Sequence, residues 1–348
     1  MAQASGRTTD SSPEKSQKRN GVLAVVGAGA WGTALAKVAS LDRRSIDLWV
    51  YEADLVKTIN EKHDNPVFLP GLELPESIRA TSNLADVAHA DILFLAMPAQ
   101  HMRPVLQSLK KDLKPQTILV ICAKGIEQKT GALMSDIIRA ECASSPLAVL
   151  SGPSFAGEVA QGLPTALTLA VEHESVGKAI IDILGRQSFR LYVSRDIIGA
   201  QIGGAVKNVL AIACGIVDGR KFGENARAAL ITRGFAEMTR LGLAMGGHAV
   251  TLSGLCGLGD LVLTCASRTS RNMALGAALG EGKSLQQLLA NRSSVAEGVF
   301  SAEAVTFLAK RYKVEMPIAT AVAAIMASEL SVEEAISNLL SRPFKYEN

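Results

Sequence analysis

The sequence predicts an α/β protein in which an N-terminal doubly wound, mostly parallel sheet is followed by an all-helical C-terminal domain. Three observations predict this. Short apolar runs alternate with amphipathic helical segments through the first half of the chain. The first of those runs leads directly into a glycine-rich turn. Beyond about residue 195, Pro becomes rare, and Ala, Leu and Gly recur at helical spacing.

The strands are expected at 22–26, 46–50, 92–96, 117–122, 148–150, 165–170 and 189–193. They read as continuous apolar runs, the pattern of strands covered on both faces. Amphipathic segments at 31–40, 103–109 and 132–141 supply helices between them. The stretch 65–71, with Pro66, Pro70 and Gly71, reads as a loop. In the second half, 200–217, 226–241 and 302–310 read as helices, and Glu315-Met316-Pro317 marks the stop of one and a possible start of the next. The expected division is a polar, disordered tail over 1–20, a dinucleotide-binding domain over 21–194 and a helical substrate domain over 195–348.

The glycine turn explains the word dinucleotide. Gly27-Ala28-Gly29-Ala30-Trp31-Gly32 is a G-x-G-x-x-G placed after a strand and at the opening of a helix. In this Rossmann-type arrangement Gly27 permits the tight turn, Gly29 lets a pyrophosphate approach the backbone, and Gly32 allows close packing of helix on strand. The phosphates rest on free N–H groups at the helix N-terminus. The acid expected about 20 residues further on is Glu52, after Tyr51. It is a candidate acceptor for a ribose 2′-hydroxyl, or else a surface acid. Arg43 and Arg44, before the second strand, are either partners for a 2′-phosphate or a solvated turn.

Composition narrows the function. Hydrophobic residues make up 48% of the 348-residue chain and charged residues 20%, a globular balance. The formal charge is +3, and the tail carries two of those charges, so no basic face points to nucleic acid. Cys122, Cys142, Cys214, Cys256 and Cys265 are odd in number and show no C-x-x-C spacing, which fits reduced thiols. No uninterrupted apolar run approaches a membrane span. The five histidines (63, 89, 101, 173 and 248) form no metal pair and read as surface or structural residues.

Lysines carry the chemical interest. Lys124 follows the strand at 117–122, at the strand end where doubly wound folds bind ligands. It is a holder of phosphate or carbonyl oxygen, or a solvated loop lysine. Lys207 lies in an almost uncharged apolar helix, next to Asn208. Desolvation there would lower its pKa toward the range of proton transfer; the alternative is a side chain that snorkels to the surface. Asp260 ends a second glycine-rich turn, as an N-cap or as a carboxylate that fixes a hydroxyl or a lysine. Ser270-Arg271-Asn272 opens a further helix, and an arginine at a helix start suits phosphate.

Together these motifs resemble the bacterial type of NAD(P)-dependent glycerol-3-phosphate dehydrogenase. The resemblance runs from about residue 21 to 340, through segments 27–36, 123–127, 151–156, 203–209, 225–234, 257–264, 270–272 and 296–298. It implies that NAD(H) or NADP(H) serves as hydride carrier and that dihydroxyacetone phosphate and sn-glycerol 3-phosphate are the substrate pair. It implies that Lys207 accepts the proton in the oxidative direction, with Lys124, Asp260 and Asn208 completing the catalytic pocket. It places Gly152, Ser154, Ser270, Arg271 and Asn272 on the substrate, together with Lys124, Lys207 and Asp260. Gly27, Gly29, Ala30, Trp31, Gly32, Tyr51, Lys124, Ala156, Arg271, Val295 and Glu297 fall to the cofactor. A cytoplasmic homodimer that supplies glycerol 3-phosphate for phospholipid synthesis is implied as well. The tail has no counterpart in the family, and Ala-Glu-Gly at 296–298 stands where Val-Glu-Gly is commoner.

Two other classes compete. Hydroxyisobutyrate- and ketopantoate-type reductases share a dinucleotide domain and a helical lysine, but lack the Ser270-Arg271-Asn272 cluster. A non-enzymatic NAD(P) sensor would need the glycine turn without both Lys124 and Lys207.

Overall fold

The computed structural model describes residues 21–41, 44–290 and 296–343. The expected tail, Arg43 and Val295 lie outside the described residues. Eight strands form one sheet: β1 Leu23–Val26, β2 Ile46–Trp49, β3 Ile78–Thr81, β4 Ile92–Leu95, β5 Ile118–Ile121, β6 Leu147–Ser151, β7 Thr165–Val171 and β8 Phe189–Ser194. Their order is β3-β2-β1-β4-β5-β6-β7-β8. Every neighbouring pair is parallel except β6 with β7. The first six strands therefore have the dinucleotide-binding order, with the switch point between β1 and β4.

The apolar runs become strands because both faces of the sheet are covered. In β1, Leu23 and Val25 join one core, with Leu35 and Leu48. Ala24 and Val26 join the opposite core, with Leu106 and Ile137. This is the two-residue alternation of a strand, apolar on both sides. Helices Ala30–Ser40, Met102–Leu109 and Met134–Glu141 supply the covering layers near the expected positions.

β3 was not among the expected strands. It is a four-residue edge strand in which Ile78 and Ala80 point inward and Arg79 outward. Arg79 Nε donates to Asp47 Oδ1 on β2 at 2.8 Å. A charged residue on a short edge strand removes the apolar run by which the other strands were read. The loop at 65–71 is a loop, but it is anchored: Asn65 is fully buried, and its amide donates to Ala28 O at 2.9 Å and to Thr33 Oγ1 at 2.8 Å.

Beyond β8, the described residues form helices only. Their core is built around Ile197–Gly219, which is apolar on all sides and buried along most of its length. This helix and the stretch Ala249–Ala266 are long enough to cross a bilayer, with mean hydropathies of 1.5 and 1.6. The reading from uninterrupted runs passes over both because Lys207 and Asp260 break them. The first is a core helix, 89% buried inside the protein, and the second carries Asp260, which is fully buried. All five cysteines are buried and unpaired.

Helix Arg271–Gly280 crosses Ile197–Gly219 with backbone against backbone. A Cβ added at Gly276 would stand 2.0 Å from Ile212 O, and one at Gly215 would stand 2.2 Å from Met273 O. Larger residues would separate the helices and with them the side chains at 207–208 and 271–272. We therefore expect Gly276→Val to lower the unfolding free energy by about 3 kcal/mol, the upper range for overpacking. Urea unfolding measures it, with Gly157→Ala as the control: a Cβ there meets nothing within 4 Å. Equal stability of the two variants would refute the close-packing account.

Candidate active site

The glycine turn has the geometry its sequence implies. Gly27 has φ +110°, and a Cβ on it would lie 2.8 Å from Met97 N. A Cβ on Gly32 would lie 1.8 Å from Gly27 O, so this residue brings helix Ala30–Ser40 down onto the turn. Gly29 differs: a Cβ there meets nothing within 4 Å. It is the N-cap of the helix, and no side chain caps the first turn. The helix therefore offers free N–H groups to an open space, a cradle for pyrophosphate. Ala30 and Trp31 open the helix, and the indole Nε1 of Trp31 is buried without a hydrogen-bond partner. Gly27 N donates to Trp49 O at 3.0 Å, which holds the end of β2 beside the turn. Tyr51 and Glu52 follow there, both exposed, and Glu52 makes no capping bond with its side chain. The cofactor's fit thus rests on the turn and helix start.

A second cluster joins the two halves of the chain. Asp260, fully buried, accepts from Lys207 Nζ at 2.5 Å through Oδ1 and from Lys124 Nζ at 2.7 Å through Oδ2. Lys207 also donates to Thr264 Oγ1 at 2.9 Å, and Lys124 to Gly152 O at 3.1 Å. Lys207 is 7% exposed, so it does not snorkel. Lys124 is not a solvated loop lysine, and Asp260 is not an N-cap. Burial pulls the Lys207 ammonium down to about 8, Asp260 opposes that fall, and the like charge of Lys124 adds to it.

The sequence around Lys207 explains how three elements meet. Gly203 makes room for the π-helical turn Leu255–Gly259: a Cβ on it would stand 2.3 Å from Cys256 O. That turn delivers Asp260 at the start of helix Asp260–Ala266. Gly204 makes room for the stem of Lys124, whose Cγ would be 3.3 Å from an added Cβ. Lys207 lies one helical turn beyond both glycines, on the same face. Two adjacent glycines thus admit the two partners that Lys207 meets.

The remaining candidates surround this cluster. Gly152, with φ +147°, turns the chain after β6, and its carbonyl accepts from both Lys124 and Ser154 Oγ, the latter at 3.1 Å. Ala156 begins the short helix Ala156–Ala160, which packs on helix Ala30–Ser40. Ser270 is the N-cap of Arg271–Gly280, its Oγ accepting from Met273 N. Arg271 is the first residue of that helix and is exposed. Asn272 is buried and donates to Asn208 Oδ1 at 3.0 Å. Glu297 starts helix Glu297–Arg311, where burial pushes its carboxyl up to about 7 against the opposing pull of Arg271 and the Ala99 amide. A Cβ on Gly125 would lie 3.2 Å from Glu297 Oε2, so the loop after β5 meets Glu297 at a glycine.

Two contributors are absent from the sequence reading. Thr264 is bonded to Lys207, and a threonine four residues after Asp260 on one helix was the available signal. Asn65 ties its loop to the glycine turn, 37 residues away in sequence, and nothing local marks it.

The cluster predicts the response to removing its anion. Asp260→Asn removes the one carboxylate that Lys207 and Lys124 share, and loss of one partner of a buried pair costs about 3–5 kcal/mol. We expect a loss of about 3 kcal/mol at pH 7 by urea unfolding. Asp260 opposes the fall of the Lys207 pKa, so without it that pKa drops below about 8 and the charged form penalises the fold more than in the parent protein. The deficit should therefore shrink as pH rises toward about 8 and level off above it, where both proteins hold the neutral amine; a deficit that does not change with pH below about 8 would count against the electrostatic cause.

Known proteins place this geometry. Residues 22–177 match the N-terminal family model of NAD-dependent glycerol-3-phosphate dehydrogenase, and residues 196–337 the C-terminal one. A glycerol-3-phosphate dehydrogenase [NAD(P)+] of Parvibaculum lavamentivorans is 57% identical over 325 residues, 93% of this chain and 98% of the relative. The corresponding protein of Caulobacter vibrioides is 53% identical over the same shares. The crystal structure of glycerol-3-phosphate dehydrogenase from Coxiella burnetii superimposes with a TM-score of 0.89 at 39% identity, covering 92% of this chain and 99% of that one. With a glycine turn shaped for a dinucleotide, a buried lysine–aspartate–lysine cluster and relatives of this identity, the chain belongs to the NAD-dependent glycerol-3-phosphate dehydrogenase family.

Proposed function

We propose that this chain interconverts dihydroxyacetone phosphate and sn-glycerol 3-phosphate by hydride transfer with NAD(H) or NADP(H), and so supplies glycerol 3-phosphate for phospholipid synthesis. The observation that carries the reading is the buried Lys207–Asp260–Lys124 cluster in a chain of this family. Family membership also sets aside the ketopantoate-type reductase and the non-enzymatic sensor. Residues 21–194 form the dinucleotide domain and 195–348 the substrate domain in this proposal. Buried, unpaired cysteines fit a reducing compartment, and we assign the protein to the cytoplasm. The homodimer rests on the family resemblance.

When bound, the cofactor supplies hydride to the carbonyl carbon. The work of the chain is to hold the substrate and manage charge on its oxygen. Arg271 and the N–H groups beside Ser270 grip the phosphate. Lys124, braced by Asp260 and Gly152 O, contacts substrate and cofactor. Lys207 and Asn208 face the reacting oxygen. As hydride arrives, negative charge builds on that oxygen, and an ammonium within hydrogen-bond reach stabilises it and donates the proton. Asp260 keeps Lys207 aimed, Thr264 limits its rotation, and burial keeps its pKa near the working range. In the oxidative direction the neutral amine takes the hydroxyl proton.

Reduction of dihydroxyacetone phosphate with NADH and then NADPH tests the reading; no turnover with either would overturn it. Lys207→Met keeps the stem and removes the donor. Turnover should fall roughly 10²–10⁴-fold, the range for acid–base catalysis, while cofactor fluorescence titration stays normal. In the unmodified protein, reduction should weaken and oxidation strengthen as pH rises through about 8, because the first needs the ammonium and the second the amine. Near-normal kcat in Lys207→Met would move the role to Lys124. Arg271→Ala should raise KM for dihydroxyacetone phosphate steeply; an unchanged kcat/KM would remove Arg271 from the site.

A further inference from the structure

A line of hydrogen bonds crosses the site from one backbone group to another. Gly298 N donates to Asn272 Oδ1 at 2.9 Å. Asn272 Nδ2 donates to Asn208 Oδ1 at 3.0 Å. Asn208 Nδ2 donates to Lys124 O at 3.4 Å, the longest of the three. Both asparagines are buried, at 7% and 5% exposure, so water does not substitute for these partners. The line joins the starts of helices Glu297–Arg311 and Arg271–Gly280 to helix Ile197–Gly219 and the loop after β5.

Its ends fix its direction. A backbone N–H can only donate, so the atom of Asn272 that faces Gly298 is the oxygen, and its NH₂ must point at Asn208. A carbonyl can only accept, so the NH₂ of Asn208 faces Lys124 O. Neither amide can turn over without setting two donors or two acceptors against each other in a buried place, which costs the desolvation of an unpaired polar group. Asn208 is left with its oxygen engaged and one N–H to spare. Gly298 belongs to the device: a Cβ there would stand 2.6 Å from Asn208 O and 2.8 Å from Asn272 Oδ1.

We propose that Asn272 is a positioning residue that acts through Asn208, holding its amide so that it presents an N–H donor to the reacting oxygen. This rests on the proposed dehydrogenase reaction, in which that oxygen gains negative charge. The substrate role implied for Asn272 is thereby recast: both ends of its amide are engaged with protein, and it meets the chemistry at second hand.

The test is a double-mutant cycle on the full-length protein with dihydroxyacetone phosphate and the preferred cofactor. Asn272→Asp still accepts from Gly298 but must also accept from Asn208, which turns that amide over and aims its oxygen at the substrate. Asn272→Ala only frees Asn208. Loss of one such donor costs about 10²–10³ in kcat. We therefore expect about a 100-fold loss for Asn272→Asp and about a tenfold loss for Asn272→Ala, the latter with KM within about threefold of the parent. In an Asn208→Ala background, either change should then lower kcat by less than about twofold, since coupled residues are not additive. Thermal unfolding and cofactor titration confirm folded protein, and if Asn272→Asp does not fold, the Asn272→Ala cycle decides alone. Undiminished losses in the Asn208→Ala background, or a loss confined to KM, would overturn the relay and leave Asn272 as a phosphate ligand. Absence of turnover in the parent protein would overturn the proposed reaction instead.

Discussion

Asp260, itself fully buried, holds two ammonium groups with one carboxylate, that of buried Lys207 and that of half-buried Lys124. Burying charge is expensive unless each charge is paired and hydrogen-bonded. Here one anion serves two cations, so the balance is left one positive charge over. That excess is chemically useful, because burial and the second lysine pull Lys207 toward neutrality while Asp260 keeps it from losing its proton outright. A lone buried lysine would be neutral at physiological pH, and a lysine paired one-to-one would hold its proton firmly. Sharing the carboxylate produces the intermediate case that the proposed proton transfer needs.

This arrangement sets demands on the backbone. Lys124 comes from the loop after β5, Asp260 from a π-helical turn, and Lys207 from the middle of a core helix. They meet because Ile197–Gly219 is thin where the others approach. Gly203 and Gly204 admit the turn and the lysine stem, and Gly215 faces Gly276 to bring Arg271 and Asn272 close. The same helix is almost wholly enclosed by apolar partners, so its position is not adjustable. The low helix propensity of glycine is offset here by the packing it permits.

The dinucleotide turn lies at the other end of the same logic. Gly27 and Gly32 bring backbone into contact with backbone, while Gly29 keeps a space open. Three residues of one type thus do different work, and the spacing in the sequence already separates them. The buttress beneath, Asn65 bonded to Ala28 O and Thr33, comes from a loop whose sequence suggests only a break between elements.

The order of apolar runs and the glycine turn determined the class of fold, because a strand covered on both faces must be apolar throughout and a phosphate cradle must be glycine-rich. β3 escaped that reading because an edge strand obeys neither constraint strongly, and Arg79 breaks its run. Lys207 was legible because a charge in an apolar helix is costly wherever it sits, and a retained cost points to use. Its partners were not. Whether Lys124 was solvated or gripped, whether Asp260 capped a helix or paired with lysine, and which way the amides of Asn208 and Asn272 faced depended on atoms brought from up to 136 residues away. Sequence by itself determined which groups had to be buried or left room for; only the tertiary structure decided what they were buried against, because pairing energies depend on distance and direction, and neither is encoded locally.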